Sequence, residues 1–257
     1  FINYIKEQVD FDIEVISGIE EARLIYLGVL SGMQFGNREH ILIDIGGGST
    51  ELTLADCYEA KALTSTKVGA VRLKRDFINQ EPLSRKKCQF LRSFIQGSLE
   101  PAVDKICRRI TPGDTPVMVA TSGTAMAIGS LVLSEESTPK LKLHSQRISK
   151  AQVDQIVEKL VKMSPVELKK IPSLSERRSE IIVPGILILQ TTMEMLGIDE
   201  LILSERALRE GLVVDWMFRK GFLEDRFALQ GIIRHSTVLH QAKRFGVNLA
   251  RSERVAK

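Results

Sequence analysis

The sequence reads as an α/β protein, because segments with strand spacing alternate with segments of helical period and short glycine, serine and threonine runs separate several of them. Size supports this: 257 residues with 44% hydrophobic side chains can bury one large core or two of ordinary size, which excludes a disordered chain.

Phe1 is not an initiator, and Phe1, Ile2, Ile5 and Val9 open the chain inside an apolar helix-like pattern, as expected of a piece of a longer protein. Asp12 to Ser17 alternates as a short strand. Gly18 then opens a helix with Ala22, Ile25, Tyr26, Val29 and Leu30 on one face. Gly32, Gly36 and Asn37 interrupt the pattern and place a domain boundary near residue 37. His40 to Ile45 resumes strand spacing. Gly46 to Gly48 separates it from a strand at Glu51 to Ala55, and a third near Leu63 to Val68 completes an antiparallel meander. Helices are predicted at about 69–79 and 84–110, followed by a brief buried strand at Pro116 to Ala120. The small polar loop Thr121-Ser122-Gly123-Thr124 leads into an apolar helix through Leu133, after which residues 134–148 read as irregular.

Ser149 caps a helix running to about Met163, and Ser164-Pro165-Val166-Glu167 is a capping box with proline at the first helical position. A long helix from about Ser175 to Leu196 contains Pro184, so a kink or break is expected near there. Glu200 to Ser204 is a strand leading into a helix from Glu205 to about Phe218. From Asp225 the sequence turns basic and helical, with Val238, Ala242 and Phe245 along one face, as at the start of a further helical domain.

Composition narrows the function classes. A formal charge of +4 permits a polyanionic partner without demanding one. The longest apolar run, around Ile181 to Leu189, falls far short of the roughly 18 residues that span a bilayer, and no signal peptide is visible, so a soluble cytoplasmic protein is expected. Cys57, Cys88 and Cys107 are odd in number and widely spaced, as reduced structural thiols are. His40, His144, His235 and His240 lack metal-ligand spacing, and P-loop, GxSxG and GxGxxG motifs are absent.

The strongest chemical signal is Asp44-Ile45-Gly46-Gly47-Gly48-Ser49-Thr50-Glu51, which ends one strand and begins the next with a carboxylate. Glycines without Cβ let backbone N–H groups approach phosphate oxygens, and two carboxylates at the ends of one hairpin can position a hard cation through oxygen ligands or its waters. A bare triple glycine would read as a plain turn; the flanking carboxylates and the Ser-Thr pair favour the phosphate cradle. Glu20 and Glu21 by themselves are ordinary helix N-terminal acids. The loop at Thr121 to Thr124 is either a second phosphate site or a tight structural connection. Lys67, Arg177, Arg178, Arg206 and Arg209 are phosphate contacts or solvated surface charges.

Several of these segments coincide with one family. Val15-Ile16-Ser17-Gly18 followed by Glu20 to Tyr26, Asp44 to Glu51, Ala120 to Thr124, Arg178 through Val183-Pro184-Gly185, and Ala207 to Gly211 together resemble the exopolyphosphatase / guanosine pentaphosphate phosphatase family across nearly the whole chain. The resemblance implies an actin-like (sugar kinase/Hsp70-like ATPase) fold. Residues 1–37 would be the remnant of a first domain, 38–224 a second domain, and 225–257 the start of a truncated helical domain. It further implies Glu21 as catalytic base and Asp44 and Glu51 as organisers of Mg²⁺. Gly46, Gly47, Gly48, Ser49 and Thr50 would hold the scissile phosphate, Gly123 and Thr124 the opposite side, and Lys67 and Arg178 further phosphates. Substrates would be inorganic polyphosphate or pppGpp, with no nucleic-acid or membrane partner and a homodimeric full-length protein. The family's first phosphate loop has no counterpart after Phe1, so the parent protein is expected to be the enzyme and this chain to be inactive or misassembled, with apolar surface of its first-domain helix uncovered. An ATP-using phosphotransferase of the same fold and a non-catalytic polyphosphate or pppGpp sensor are the rival readings.

Overall fold

The computed structural model describes residues 2–9, 13–36, 38–135, 142–224 and 229. Two helices lead in, α1 (Ile2–Val9) and α2 (Gly18–Leu30). The meander follows as β1 (His40–Ile45), β2 (Thr50–Ala55) and β3 (Ala60–Thr66), then α3 (Ala70–Phe77) and α4 (Arg85–Cys107). The remainder is β4 (Val117–Thr121), α5 (Ser122–Glu135), β5 (Arg147–Ser149), α6 (Lys150–Leu160), α7 (Pro165–Lys169), α8 (Glu176–Ser179), α9 (Ile182–Leu196), β6 (Glu200–Leu203) and α10 (Leu208–Arg219).

One sheet of order β3-β2-β1-β4-β6-β5 carries these elements. β1 is antiparallel to β2 and parallel to β4, and β4 is parallel to β6. Strand alternation sorts the side chains. Ile41, Ile43 and Ile45 enter a large cluster with α4, α5, α6 and α9, whereas Leu42 and Val119 enter a second cluster with α2 and α10. A sheet covered on both faces explains why β1 reads as nearly continuous apolar sequence. Each fully buried Leu or Ile there contributes about 1.5–3 kcal/mol. The carboxyl ends of β1, β4 and β6 lie at one edge, which is where open α/β sheets bind ligands.

Local chemistry sets many boundaries. Ser17 caps α2 by accepting from Glu20 N at 3.1 Å, and Ser149/Gln152 and Ser164/Glu167 form capping boxes on α6 and α7. Other expectations need correction. Residues 13–17 form no strand, and Asp12 lies outside the described residues. The expected irregular stretch 134–148 gives its first two residues to α5 and its last two to β5. The break expected near Pro184 in the helix from Ser175 does occur, at Glu180–Ile181, and leaves Pro184 in the first turn of α9, where a missing N–H costs nothing. α10 begins at Leu208 instead of Glu205. The basic segment 225–257 lies outside the described residues apart from Leu229.

α2, expected to leave apolar surface uncovered, buries Ala22 and Leu24 to Leu30. It lies on the sheet beside α10, crossing it through glycines. A Cβ built on Gly28 would stand 1.9 Å from the Ala207 carbonyl oxygen, and one on Gly211 only 1.8 Å from that of Leu24. α2, which precedes residue 37, packs on the sheet that follows it. Apolar side chains are nevertheless exposed on α2 itself (Ile19), on α1 (Ile2, Tyr4, Val9) and on α10 (Leu212, Val213, Trp216). Among the described residues no helix is long and apolar enough to cross a membrane, and Cys57, Cys88 and Cys107 form no disulfide.

His40 begins β1, buried, stacked on Phe35 at 4.0 Å and donating from Nδ1 to the Arg38 carbonyl at 2.9 Å. Burial lowers its pKa from 6.5 to about 4. The unfolded chain therefore binds a proton first on acidification. The contribution of His40 to stability is fully present above pH 6.5 and is lost as the pH falls toward 4. Compared with a His40→Asn variant, the parent protein is expected to lose on the order of 2–4 kcal/mol across that window in urea titrations. Other groups titrating there cancel in the difference, and parallel curves would exclude His40 as the source.

Candidate active site

The site gathers at the carboxyl edge of the parallel strands. Asp44 and Glu51 are direct cross-strand partners on β1 and β2 and therefore face the same side of the sheet, toward α2. Ser65, opposite Glu51 on β3, donates its hydroxyl to Glu51 Oε1 at 2.8 Å. Gly18 lies so close to this pair that a Cβ there would meet Ser65 Oγ at 2.2 Å. That approach brings the first turn of α2, and Glu21 with it, up to the hairpin.

Two neighbouring acids on α2 have different surroundings. Arg23 takes Glu20 in a two-pronged pair of 2.8 and 2.7 Å, holding the Glu20 carboxyl below its usual range, and also binds Asp215 of α10 at 2.7 Å. Glu21 is left facing the hairpin, where its charge acts on both Asp44 and Glu51. Burial pushes the half-buried Asp44 carboxyl up to about 7, with the charges of Glu51 and Glu21 adding to the effect. Burial likewise raises Glu51, opposed by hydrogen bonds from Ser65 and Ser49.

Glu51 Oε2 is buried without a hydrogen-bond partner. Asp44 and Glu51, with the charge of Glu21 acting on both and one Glu51 oxygen unsatisfied, form a pair of oxygen donors that a hard divalent cation would relieve. Among the described residues no three acids, histidines or cysteines are placed to hold a metal ion by themselves. That arrangement fits a magnesium-type ion, which keeps several waters and completes its shell with substrate phosphates.

Between the two carboxylates, Gly46 N donates to the Ser49 carbonyl at 2.9 Å and closes the turn. Gly47 and Gly48 are exposed. The N–H groups of Gly47, Gly48 and Ser49 have no acceptor among the described residues. Thr50 is fully buried, its hydroxyl committed to the Val68 carbonyl at 2.6 Å. Lys67 is exposed just past β3, at the glycine-loop end of the sheet.

A second loop faces the first from the end of β4. Ser122 has φ of 90°, an unusual conformation for a residue with a side chain, and its Oγ accepts from the amides of Thr124 and Ala125 at 3.2 and 3.3 Å. Thr124 donates its hydroxyl to the Ile45 carbonyl at 3.2 Å, tying the two loops together. Gly123 is exposed, and a Cβ on it would meet the Arg178 guanidinium at 2.7 Å. Thr121 to Gly123, Arg178, Ser204, Glu205 and Arg209 line a cleft of about 270 Å³. Arg178 and Arg209 thus reach one cleft; Arg177 and Arg206 do not line it. Sequence reasoning missed Ser65, whose only signal is its register opposite Glu51. It also missed Gly69, where a Cβ would stand 2.5 Å from the Gly47 carbonyl carbon and oxygen.

The pattern of the Ppx/GppA phosphatase family matches residues 1–220. The chain belongs to that family. Curated relatives of this Ppx/GppA member include the guanosine-5'-triphosphate,3'-diphosphate pyrophosphatases of Aliivibrio fischeri strain MJ11 and Vibrio parahaemolyticus. The first is 31% identical over 212 residues, 82% of this chain and 40% of that protein. The second is 30% identical over 244 residues, 95% of this chain and 45% of that protein. The chain therefore spans less than half the length of these relatives. Among solved structures, the Aquifex aeolicus Ppx/GppA family member superposes with a TM-score of 0.73 at 24% identity, covering 85% of this chain and 69% of that one. An exopolyphosphatase from Cytophaga hutchinsonii gives 0.76 at 24%, covering 86% and 69%. At that identity these structures establish the fold, and this Ppx/GppA chain has the expected actin-like α/β architecture.

Proposed function

We propose that the chain carries the carboxylate and phosphate-loop side of a phosphoanhydride hydrolase that releases terminal orthophosphate from inorganic polyphosphate or pppGpp. The observation that carries this reading is the set of N–H groups on Gly47, Gly48 and Ser49 that have no acceptor among the described residues, set between two carboxylates that Glu21 faces. The printed names of the relatives, a pppGpp pyrophosphatase and an exopolyphosphatase, support it.

In this reading the loop amides hold the terminal phosphate and stabilise charge that builds on its oxygens as the phosphorus–oxygen bond breaks. Glu21 accepts the proton of the attacking water, and Arg178 and Lys67 neutralise the rest of the substrate. Mg²⁺, held by Asp44 and Glu51, would supply Lewis-acid neutralisation of the phosphate oxygens. Cys57, Cys88 and Cys107, none of them in a disulfide among the described residues, suit the reducing, cytoplasmic setting proposed for the protein. The division at residues 37 and 224, the facing first domain and homodimeric assembly are carried over from the family resemblance, and light scattering on the full-length protein tests the last.

The deciding experiment compares Mg²⁺-dependent orthophosphate release from long-chain polyphosphate, pppGpp and ATP by the full-length protein. Release from either of the first two is the expected result. Phosphate transfer from ATP to another acceptor would replace it with a phosphotransferase, and tight binding of polyphosphate or pppGpp without release would make the protein a sensor. Ser65→Ala offers a narrower check. Losing the hydroxyl that steadies Glu51 is expected to raise the half-saturating Mg²⁺ concentration about five- to tenfold with little change in turnover at saturating metal. An unchanged metal titration would remove Ser65 from the site.

A further inference from the structure

We propose that Arg72 is a positioning residue for the phosphate cradle: bound to the back of the triple-glycine loop, it fixes the side on which the loop presents its N–H groups. The inference rests on the cradle reading above and adds a residue outside the loop. A trans peptide group carries its carbonyl and its N–H on opposite sides. Along this loop three successive carbonyls are held by α3: that of Gly46 by the Ala70 amide at 3.0 Å, that of Gly47 by the Arg72 amide at 3.0 Å, and that of Gly48 by Arg72 Nε at 3.2 Å. The N–H groups sharing those three peptide planes belong to Gly47, Gly48 and Ser49. They are thereby turned away from α3, and they are the donors that remain without an acceptor among the described residues.

Two of these three holds come from Arg72, and the last depends on its side chain alone. Glycine is the residue best able to exchange one backbone orientation for another, so a loop of three needs its peptide planes held from outside. A guanidinium suits the task because a charged donor binds a carbonyl more strongly than a neutral one. Gly69 permits the arrangement, since a Cβ there would stand 2.5 Å from the Gly47 carbonyl and push α3 off the loop. Arg72 also acts on Asp76 through its charge, without a direct bond. Among the described residues it forms no ion pair, and Asp76, one turn along, is paired with Arg75 at 2.6 Å.

Orthophosphate binding to the full-length protein in Mg²⁺, measured by calorimetry, tests this without requiring turnover. Arg72→Ala is expected to weaken binding about tenfold or more, and Arg72→Lys, which keeps a charged donor, to recover at least about a third of the affinity. Arg75→Ala removes the same charge from the same helix but touches no loop carbonyl. It is expected to stay within about twofold of the parent protein. Mn²⁺ binding followed by electron paramagnetic resonance is expected to match across all four proteins, separating the cradle from the carboxylates. Should Arg72→Ala fail to fold, Arg72→Met keeps the aliphatic stem and takes its place.

Parent-like phosphate affinity in Arg72→Ala overturns the proposal, as does an equal loss in Arg75→Ala, which would reduce the effect to net charge. Absence of recovery in Arg72→Lys counts against it too. An unsubstituted protein that binds Mn²⁺ but no orthophosphate would overturn the cradle reading itself, and this proposal with it.

Discussion

Glu21→Gln in the full-length protein is expected to lower orthophosphate release by a factor on the order of 10²–10⁴ while leaving phosphate binding intact. The glutamine keeps the size and hydrogen-bonding reach of the side chain but cannot accept a proton. The neighbouring substitution sharpens the test. Glu20 is spent on Arg23, so Glu20→Gln is expected to change turnover only through the α2–α10 contact and by less than about tenfold. If both variants retain more than a tenth of the parent rate, neither acid is the base. If Glu20→Gln alone abolishes release, the assignment of roles along α2 is reversed.

The second large effect concerns stability. Gly211→Ala inserts a methyl group 1.8 Å from the Leu24 carbonyl oxygen, in a place bounded by helix backbone that no side-chain rotation can clear. The helices must separate, and the loss is expected to exceed about 3 kcal/mol, enough to unfold a marginal domain at 37 °C. Gly97, exposed within α4 with nothing within 4 Å of its Cβ position, supplies the opposite sign. There the same substitution is expected to stabilise by about 0.5–1 kcal/mol, because alanine is the better helix former. Thermal melts of the two variants should move in opposite directions, and a Gly211→Ala melt within 2–3 °C of the parent would mean that the helices are not in backbone contact.

Features written in contiguous residues were legible in the sequence. The capping boxes at Ser149 and Ser164 are local hydrogen-bond chemistry, and Asp44 through Glu51 holds both carboxylates and the loop in one hairpin. What depended on partners distant in the chain was not. The alternation at Asp12 to Ser17 has the period of a strand, but a strand also needs a neighbour to pair with. β5, three residues long, exists only through its pairing with β6. Ser65 and Arg72 look ordinary until strand register and helix packing set them against Glu51 and Gly48. The sequence resemblance singled out Glu21; the physical reason that Glu20 is unavailable is an arginine bridge to Asp215, 192 positions from Arg23.

The joint between α2 and α10 has a mechanical consequence. The two helices touch at Gly28 and Gly211 and are bolted a second time where Arg23 meets Asp215, and two fastenings make a stiff brace where one would make a pivot. One end of that brace carries Glu21; the start of α10, with Leu208 and Arg209, forms part of the cleft that also holds Arg178. A push on the cleft wall at the start of α10 would therefore reach the first turn of α2, so that Glu21, the proposed base, and Arg209 travel as linked parts.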